Sequence, residues 1–383
     1  MKKTMIIICL LVFSAVTSSC WNLKEPNQLA IVIGGGLDLS QDGQLEVSSQ
    51  IAVPAALGGE NNGPSKKRSF VVVNATGKNF MDAGQNLQMQ LSRTLFYAHR
   101  QTILVGQRIA EQGVAGQGFL KYLDMIVRNP KSEMRSVIWI VKGGTAKDIL
   151  ATEPTFDALI STTLYSVQMA LGMKPYYYRE FLCESLPKGG AVLLPAISTN
   201  SSKKKFIYSG AAILDKEHEL HLIGFLNPEE SYYANWIKGR QKTLTVTTSE
   251  SQKEGNISLR VKSPKRHIRV EKDAQGMHVH IQLHGFGNIV ENNTSLDPSE
   301  AQDLGAIQKK LSQEAERDVV KLIQKAQKQY KVDILGLGEL VHQKYPHEWK
   351  SLQKNWNDTF SKMTITAEVH LRYHDPGQTN ASM

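Results

Sequence analysis

Residues 297–330 read DPSEAQDLGAIQKKLSQEAERDVVKLIQKAQKQY, and their periodicity sets the architecture of the C-terminal half. Leu304, Ile307, Leu311, Ala315, Val319, Leu322, Ala326 and Tyr330 recur every three or four residues, while Lys, Gln and Glu fill the opposite face. That spacing draws one continuous apolar stripe along a helix. Asp297, Pro298 and Glu300 supply an N-cap acid, a proline at the first helical position and a glutamate at the third, so the helix is predicted over 298–331. A one-sided helix has to bury its stripe against another layer. The preceding segment from Phe206 to about Val290 supplies one, with FIYSGAAIL, HLIGFL and three longer alternating stretches reading as strands. A glycine-containing turn, a shorter helix around Gly338 to Trp356 and a closing strand, MTITAEVHLRY (363–373), complete this half.

The N-terminal half alternates differently. LAIVIGGGLDL (29–39) and LEVSSQIAV (45–53) read as two strands joined by a turn at Asp42-Gly43. The polar stretch GGENNGPSKKR (58–68) reads as an exposed loop before a third strand, SFVVVNATG (69–77). Phe80, Ala83, Leu87 and Leu91 mark a helix, and QTILVG, a helix over about 107–127, RSVIWIVKG and the short helix TAKDILA continue an α/β alternation. Residues 152–190 read as a helical connector with a helix near 157–171 and an aromatic cluster at Tyr176, Tyr177, Tyr178 and Phe181. The chain is therefore expected to be α+β, a three-domain mixed architecture with antiparallel or mixed sheets. The expected parts are an N-terminal α/β domain with its connector (20–190), a middle mostly β domain (191–258) and a C-terminal α+β domain carrying the long helix (259–383).

A chain of 383 residues, 41% hydrophobic, suffices for two or three packed domains. After residue 20 no uninterrupted apolar run approaches the roughly 20 residues of a membrane-spanning helix. Before it, Lys2 and Lys3 precede an apolar run from Met5 to Val16, then Thr17, Ser18, Ser19 and Cys20. This is the pattern of an export signal ending at a cysteine that takes lipid, so residues 1–19 are expected to be removed and Cys20 to become the lipidated N-terminus. Two acyl chains, at about 0.8 kcal/mol per buried methylene, hold a protein on a bilayer stably. Of the three cysteines, Cys9 leaves with the signal and Cys20 carries lipid, which leaves Cys183 without a disulfide partner and expected as a buried free thiol. The formal net charge of +9, or +7 without Lys2 and Lys3, is consistent with an anionic lipid surface nearby and equally with plain solubility.

No motif that carries chemistry survives inspection. Gly34-Gly35-Gly36 follows a strand but lacks GxGxxG spacing and precedes another strand, so close packing or a bulge is the better reading. His218 and His221 are three apart in a turn, whereas HExxH needs histidines four apart on one helix face. In HVHIQLH, His278, His280 and His284 share one strand face, and a solvated face is favoured over a metal site. Lys203 to Lys205 and the series Lys262, Lys265, Arg266, His267, Arg269 and Lys272 invite nucleic acid. Export argues against that partner, and the second series reads as the wet face of an amphipathic strand or a patch facing anionic lipid. No catalytic residue, metal, cofactor or nucleic acid is expected, and an exported binding or signalling protein is the reading the residues support.

Four segments then carry a family resemblance. CWNLKEPNQLAIVIGGGLD (20–38) resembles the mature start, CWDxxEIxxLAxVxGxGID, of the C-subunit lipoproteins of spore germinant receptors. LFYAHRQTILVGQRIAEQG (95–113) is similar to that family's LYxGHxxxIIIGExLAExG, and AAILDKEHELHLIGFLNPEES (211–231) to its AVFKDDKLVGxLxxxES. VDILGLGELVHQKYPHEWKSLQKNW (332–356) is similar to its most specific stretch, ADIFGLGxxIxRKxPxxWxxIxxxW. The segments keep the family's order and span nearly the whole mature chain. Asn22, Pro26 and Thr17 depart from the pattern.

The resemblance implies a lipoprotein on the outer face of the spore inner membrane, acting with a membrane-embedded A subunit and an integral B subunit to trigger germination by small nutrients. It implies no catalytic activity and a three-domain mixed α/β fold. A lipoprotein that itself captures a nutrient is the alternative, and a surface hydrolase is a third class. Within the specific stretch, Gly336 and Gly338 let the chain turn and Trp349 and Trp356 bury one helix face. The rival reading makes Trp349 part of a docking surface.

Overall fold

The computed structural model describes residues 25–57, 68–113, 128, 133–200, 205–248, 255–274 and 276–375. Cys20, the 1–19 segment, most of the 58–68 loop and residues 114–127 of the expected 107–127 helix lie outside the described residues, and the described part of that helix, Gln107–Gln112, is closed by Gly113.

Two sheets organise the chain. The first is built from β1 (Leu29–Leu39), β2 (Leu45–Ala52), β3 (Phe70–Gly77), β4 (Thr94–Phe96), β5 (Thr102–Gly106), β6 (Val137–Lys142), β7 (Ala191–Asn200), β8 (Lys205–Asp215) and β9 (His221–Leu226). Their spatial order is β3-β2-β1-β5-β6-β7-β8-β9, with β4 also paired to β1. The central run from β1 to β7 is parallel, and both flanks are antiparallel. Parallel strands are covered on both faces, which is why β5 and β6 are continuous apolar runs, buried at every residue but Lys142.

On one face Leu37, Leu45, Ile103 and Ile138 pack with Ala83, Leu87, Tyr178 and Phe181. On the other, Leu104, Trp139 and Val141 pack with α1 (Ala146–Leu150) and α2 (Ile160–Ala170). The glycines of β1 serve this second face. A Cβ at Gly34 would lie 2.0 Å from Ser161 Oγ, and one at Gly36 would lie 2.9 Å from Ala146 Cβ. The register also slips between Val32 and Gly34, so the glycines provide both the close packing and the bulge read from the sequence. Asp38, two residues on, accepts the N–H groups of Ala146 and Lys147 at 2.9 and 3.2 Å. Burial pushes its carboxyl up to about 6 despite those two bonds.

The second sheet, β10-β11-β12-β13, comprises β10 (Thr243–Thr247), β11 (Ile257–Asp273), β12 (Gly276–Asn292) and β13 (Thr364–Asp375). The long helix, α3 (Ala301–Gln324), lies on it and continues as a π-helical turn over Lys325–Tyr330. Its stripe is as expected: Ile307, Leu311, Ala315, Val319, Leu322 and Ala326 are buried. The chain is thus the α+β fold expected, with its C-terminal helix packed on a sheet.

The helix begins later than the 298 predicted. Asp297 accepts from Ser299 N and Oγ at 2.8 and 2.7 Å, closing a turn, and its own N–H goes to Asp303 Oδ2 at 2.9 Å. The capping residues therefore build a turn ahead of the first helical residue, Ala301. The polar face has a second use. Gln308, Ser312 and Glu316, four apart, accept the N–H groups of Tyr373, Leu371 and Val369. Alternate donors along β13 are thereby occupied by helix side chains, which protects a strand edge.

Strands β7 to β9 join the two halves. They are hydrogen-bonded into the first sheet, yet Ala191, Leu193, Ala211, Ile213 and Leu226 belong to the same core as the second sheet and the long helix. The middle segment drawn at 191–258 accordingly contributes β7 to β9 to the first sheet and β10 to the second. A helix not expected from the sequence, α4 (Pro228–Ile237), fills the corner between them, burying Tyr233, Ala234, Trp236 and Ile237. Its signal was present: Asn227 and Glu230 form a capping box with Pro228 in the first turn.

Candidate functional site at the joint between the sheets

The specific stretch 332–356 folds into a buried polar joint. Asp333, 2% exposed, accepts four bonds: Leu335 N and Gly336 N on Oδ1 at 3.0 and 2.9 Å, and Gly338 N and Trp356 Nε1 on Oδ2 at 2.8 and 3.0 Å. A carboxylate so surrounded satisfies its lone pairs without a counter-cation. Gly336 adopts φ +76° to bring its N–H inward. Gly338 is required for space, because a Cβ there would lie 2.8 Å from Trp356 Nε1 and 2.9 Å from Trp349 Cη2.

The joint clasps the start of β7. Ala191 N donates to Asp333 O at 2.9 Å, and Gly190 N donates to Asn357 Oδ1 at 3.1 Å. A Cβ at Gly189 would lie 2.9 Å from Trp356 Cβ. Trp349 and Trp356 meet edge to face with centroids 5.1 Å apart, and His342 stacks on Trp349. Both tryptophans are buried, at 7% and 0% exposure, so the packing reading holds for both.

Beside the joint lies a buried ion cluster. Glu184 sits near the end of α5 (Tyr178–Ser185) and pairs with Lys238 and Arg240, which follow α4. Tyr176 donates to the same carboxylate, and Arg240 stacks over the Tyr176 ring at 4.2 Å. The side chains of Glu184 and Lys238 are only 17% and 6% exposed. Burial opposes the Glu184 charge, but Lys238 and Arg240 outweigh it and hold the carboxyl down to about 2. The cluster ties the connector of the first half to the corner helix.

Joint and cluster form the wall of a cleft of about 860 Å³, lined also by Lys188, Lys216, Arg266, Glu339 and Cys183. Cys183 is exposed there rather than buried as expected. Its helix buries Tyr178, Phe181 and Ser185, and that spacing leaves position 183 on the outer face. Cys20, the lipidation candidate, lies outside the described residues.

The remaining sequence candidates do not converge. His218 bonds Asp215 and His221 bonds the His218 carbonyl, both in the β8–β9 turn. His278 turns to Asp273, His280 to Thr366 Oγ1, and His284 stacks on His370. Among the described residues no group of three or more His, Cys, Asp or Glu side chains is placed to hold a metal. The β11 basic series is mostly a wet face opposite buried Val261 and Val270. Arg266 is exposed like the rest, but its Nη1 donates to the Ile237 carbonyl and its side chain lines the cleft. What the sequence missed is the cleft itself, because its cations come from separate segments and none stands in a motif.

The chain is thus a doubly sheeted α+β protein clasped at a buried DxLGxG carboxylate. A family model described as "Spore germination protein N-terminal domain" matches residues 22–199, and one described as "Spore germination B3/ GerAC like, C-terminal" matches residues 209–377; the chain belongs to this GerAC-like family of spore germination proteins. It is 23% identical over 396 residues to spore germination protein YndF of Bacillus subtilis (strain 168), covering 96% of this chain and 95% of the relative. It is 21% identical over 400 residues to spore germination protein KC of the same organism, covering 97% and 96%. The crystal structure of the GerBC protein shares the fold, with a TM-score of 0.59 at 19% identity over 89% of this chain and 97% of that one.

Proposed function

We propose that the protein is a non-enzymatic, lipid-anchored C subunit of a nutrient germinant receptor, held at the outer face of the spore inner membrane. There it couples the membrane-embedded A and B subunits. The full-length likeness to spore germination proteins supports the process, and the joint supports the coupling role. The two halves are fastened through Asp333, Asn357 and the Glu184 cluster, so a load applied to one half reaches the other without a loose hinge.

The chain's route supports an anchor. No helix among the described residues is long and apolar enough to cross a membrane. Glu25 lies five residues after Cys20, at most about 18 Å of extended chain, and it leads into an apolar groove lined by Pro26, Leu29, Ile31, Ile51, Val71 and Leu91. A lipid on Cys20 would hold this end of the first sheet against the bilayer. The division 20–190, 191–258 and 259–383 is kept within this proposal as three segments, the middle one bridging the two sheets without a sheet of its own.

The test is recovery of the receptor from spore membranes through a tag on this chain. Co-isolation of an A and a B subunit, lost from the membrane fraction on Cys20→Ala, is the expected result. A chain recovered alone, with Cys20→Ala still on the membrane, would refute both the partnership and the anchor.

A further inference from the structure

The inter-sheet cleft is built with more cationic than anionic capacity. Its lining holds six Lys or Arg residues and four Asp or Glu residues. Asp333 is held by its four donors and Glu184 by Lys238 and Arg240, while Glu180 pairs with Arg179 through Oε1 and leaves Oε2 buried without a partner among the described residues, and Glu339 accepts from Gln343. On the cationic side, Lys216 and Arg266 are not so used. The Lys216 ammonium, on a half-buried residue, has one weak acceptor among the described residues, the Glu184 carbonyl at 3.4 Å. An ammonium offers three donors and a guanidinium five. Arg266 spends Nη1 on the Ile237 carbonyl and lies across the cleft mouth beside Gly239.

For half-buried Lys216, donors left unmatched in the cleft are costly, while Arg266 stays exposed and offers its remaining donors at the cleft edge. Burial holds the Lys216 ammonium below its ordinary value although Glu184, Asp333 and Glu339 favour its charge and only Lys238 opposes it, and burial with the neighbouring Arg240 lowers Arg266. An incoming negative group relieves both. Leu335, Leu340 and Trp349 add an apolar wall, the usual composition of a small-molecule site.

We propose that this cleft binds a small oxyanion, a carboxylate or phosphate group, held between Lys216 and Arg266. Lys238 and Arg240 are spent on Glu184 and act only through the local field. The site is independent of the lipid anchor and of the receptor reading, so failure of either leaves it standing.

The test titrates the purified protein with sodium phosphate and with sodium acetate at constant ionic strength, read by calorimetry and by a fluorophore on Cys183 at the cleft rim. Saturable binding in the millimolar range or tighter is expected for at least one salt. Lys216→Met and Arg266→Gln should each weaken it about tenfold, the loss of one charge-assisted bond. Lys216→Arg should keep most of it, and Lys309→Met on the long helix should leave it unchanged. If Lys216→Met does not fold, Arg266→Gln decides. Vesicles with and without phosphatidylglycerol form a second arm: saturable, Lys216-dependent binding only to the anionic vesicles makes the oxyanion a lipid headgroup, while binding to the free salts makes it a soluble ligand. No saturable binding in any arm, or binding indifferent to both variants, overturns the proposal.

Discussion

Replacing Glu184 by Gln removes the one acid that faces both Lys238 and Arg240 and leaves two cations in place beside the joint. The Lys238 side chain is 6% exposed and that of Arg240 23%, so water does little to replace the lost partner. Breaking a buried pair from one side costs about 3 to 5 kcal/mol. The titration of the carboxyl gives a second route to the magnitude. Its fall from the ordinary 4.5 to about 2 corresponds to about 3 kcal/mol at neutral pH.

The sign follows from the depressed value. The stabilisation is full above the unfolded pKa of 4.5 and is lost as pH falls toward 2. Urea unfolding followed by tryptophan fluorescence, which reports on Trp236, Trp349 and Trp356 near the joint, should show Glu184→Gln less stable by about 3 kcal/mol at pH 7, with the gap to the parent closing between pH 4.5 and 2.5. A variant within 0.5 kcal/mol of the parent at pH 7, or a gap unchanged at pH 3, would refute the claim that this carboxylate locks the halves.

Other consequences are as direct. Asp333→Asn turns an amide N–H2 toward backbone donors and should cost about 3 kcal/mol, seen as a lowered midpoint in thermal unfolding, with Trp356→Phe costing less because it removes one donor of four. Asp38 titrates the opposite way from Glu184: its folded carboxyl is raised to about 6 from 3.8, so the folded state holds the extra proton between those values. Stability should therefore fall by about 3 kcal/mol as pH rises from 4 to 6, and that slope should be absent in Asp38→Asn. Gly34→Ala forces a methyl onto Ser161 Oγ and Leu150 and should destabilise by about 1 to 3 kcal/mol. Gly305→Ala, on the exposed side of the long helix with nothing within 4 Å, should stabilise by about 1 kcal/mol, and paired melts of the two variants check both.

What the sequence disclosed follows the range over which its signals act. The stripe from Leu304 to Tyr330, the turn at Asp42-Gly43 and the alternation in β11 and β12 are periodic and local, and each is where it was expected. The capping box at Asn227 and Glu230 is equally local, but its eleven-residue context NPEESYYANWI lies between strands and its aromatics carry little helical periodicity. Sheet membership was harder to read. AVLLPAISTN (191–200) is apolar enough for a buried strand, yet nothing in it says that one neighbour is β6, some fifty residues back, and the other β8.

The site was least legible of all. Asp333 belongs to a recognisable stretch, but Glu184, Lys216 and Lys238 are ordinary surface-type residues until the fold desolvates them. Burial is a tertiary property, and it also decided Cys183, whose exposure depends on which face of a two-turn helix meets the core. Arg266 looked like one more member of a wet strand face because strand alternation fixes direction from the sheet, not what stands beside it.

The central claim is that this chain couples a nutrient signal within a receptor. It is tested most directly by deleting its gene in the spore-forming host, complementing with the parent or Glu184→Gln chain, and following germination of purified spores on a nutrient panel. Selective loss of response to one set of nutrients, with spore yield and heat resistance intact, restored by the parent and weakened with Glu184→Gln, is the result predicted. Unchanged germination on every nutrient after deletion would contradict the account.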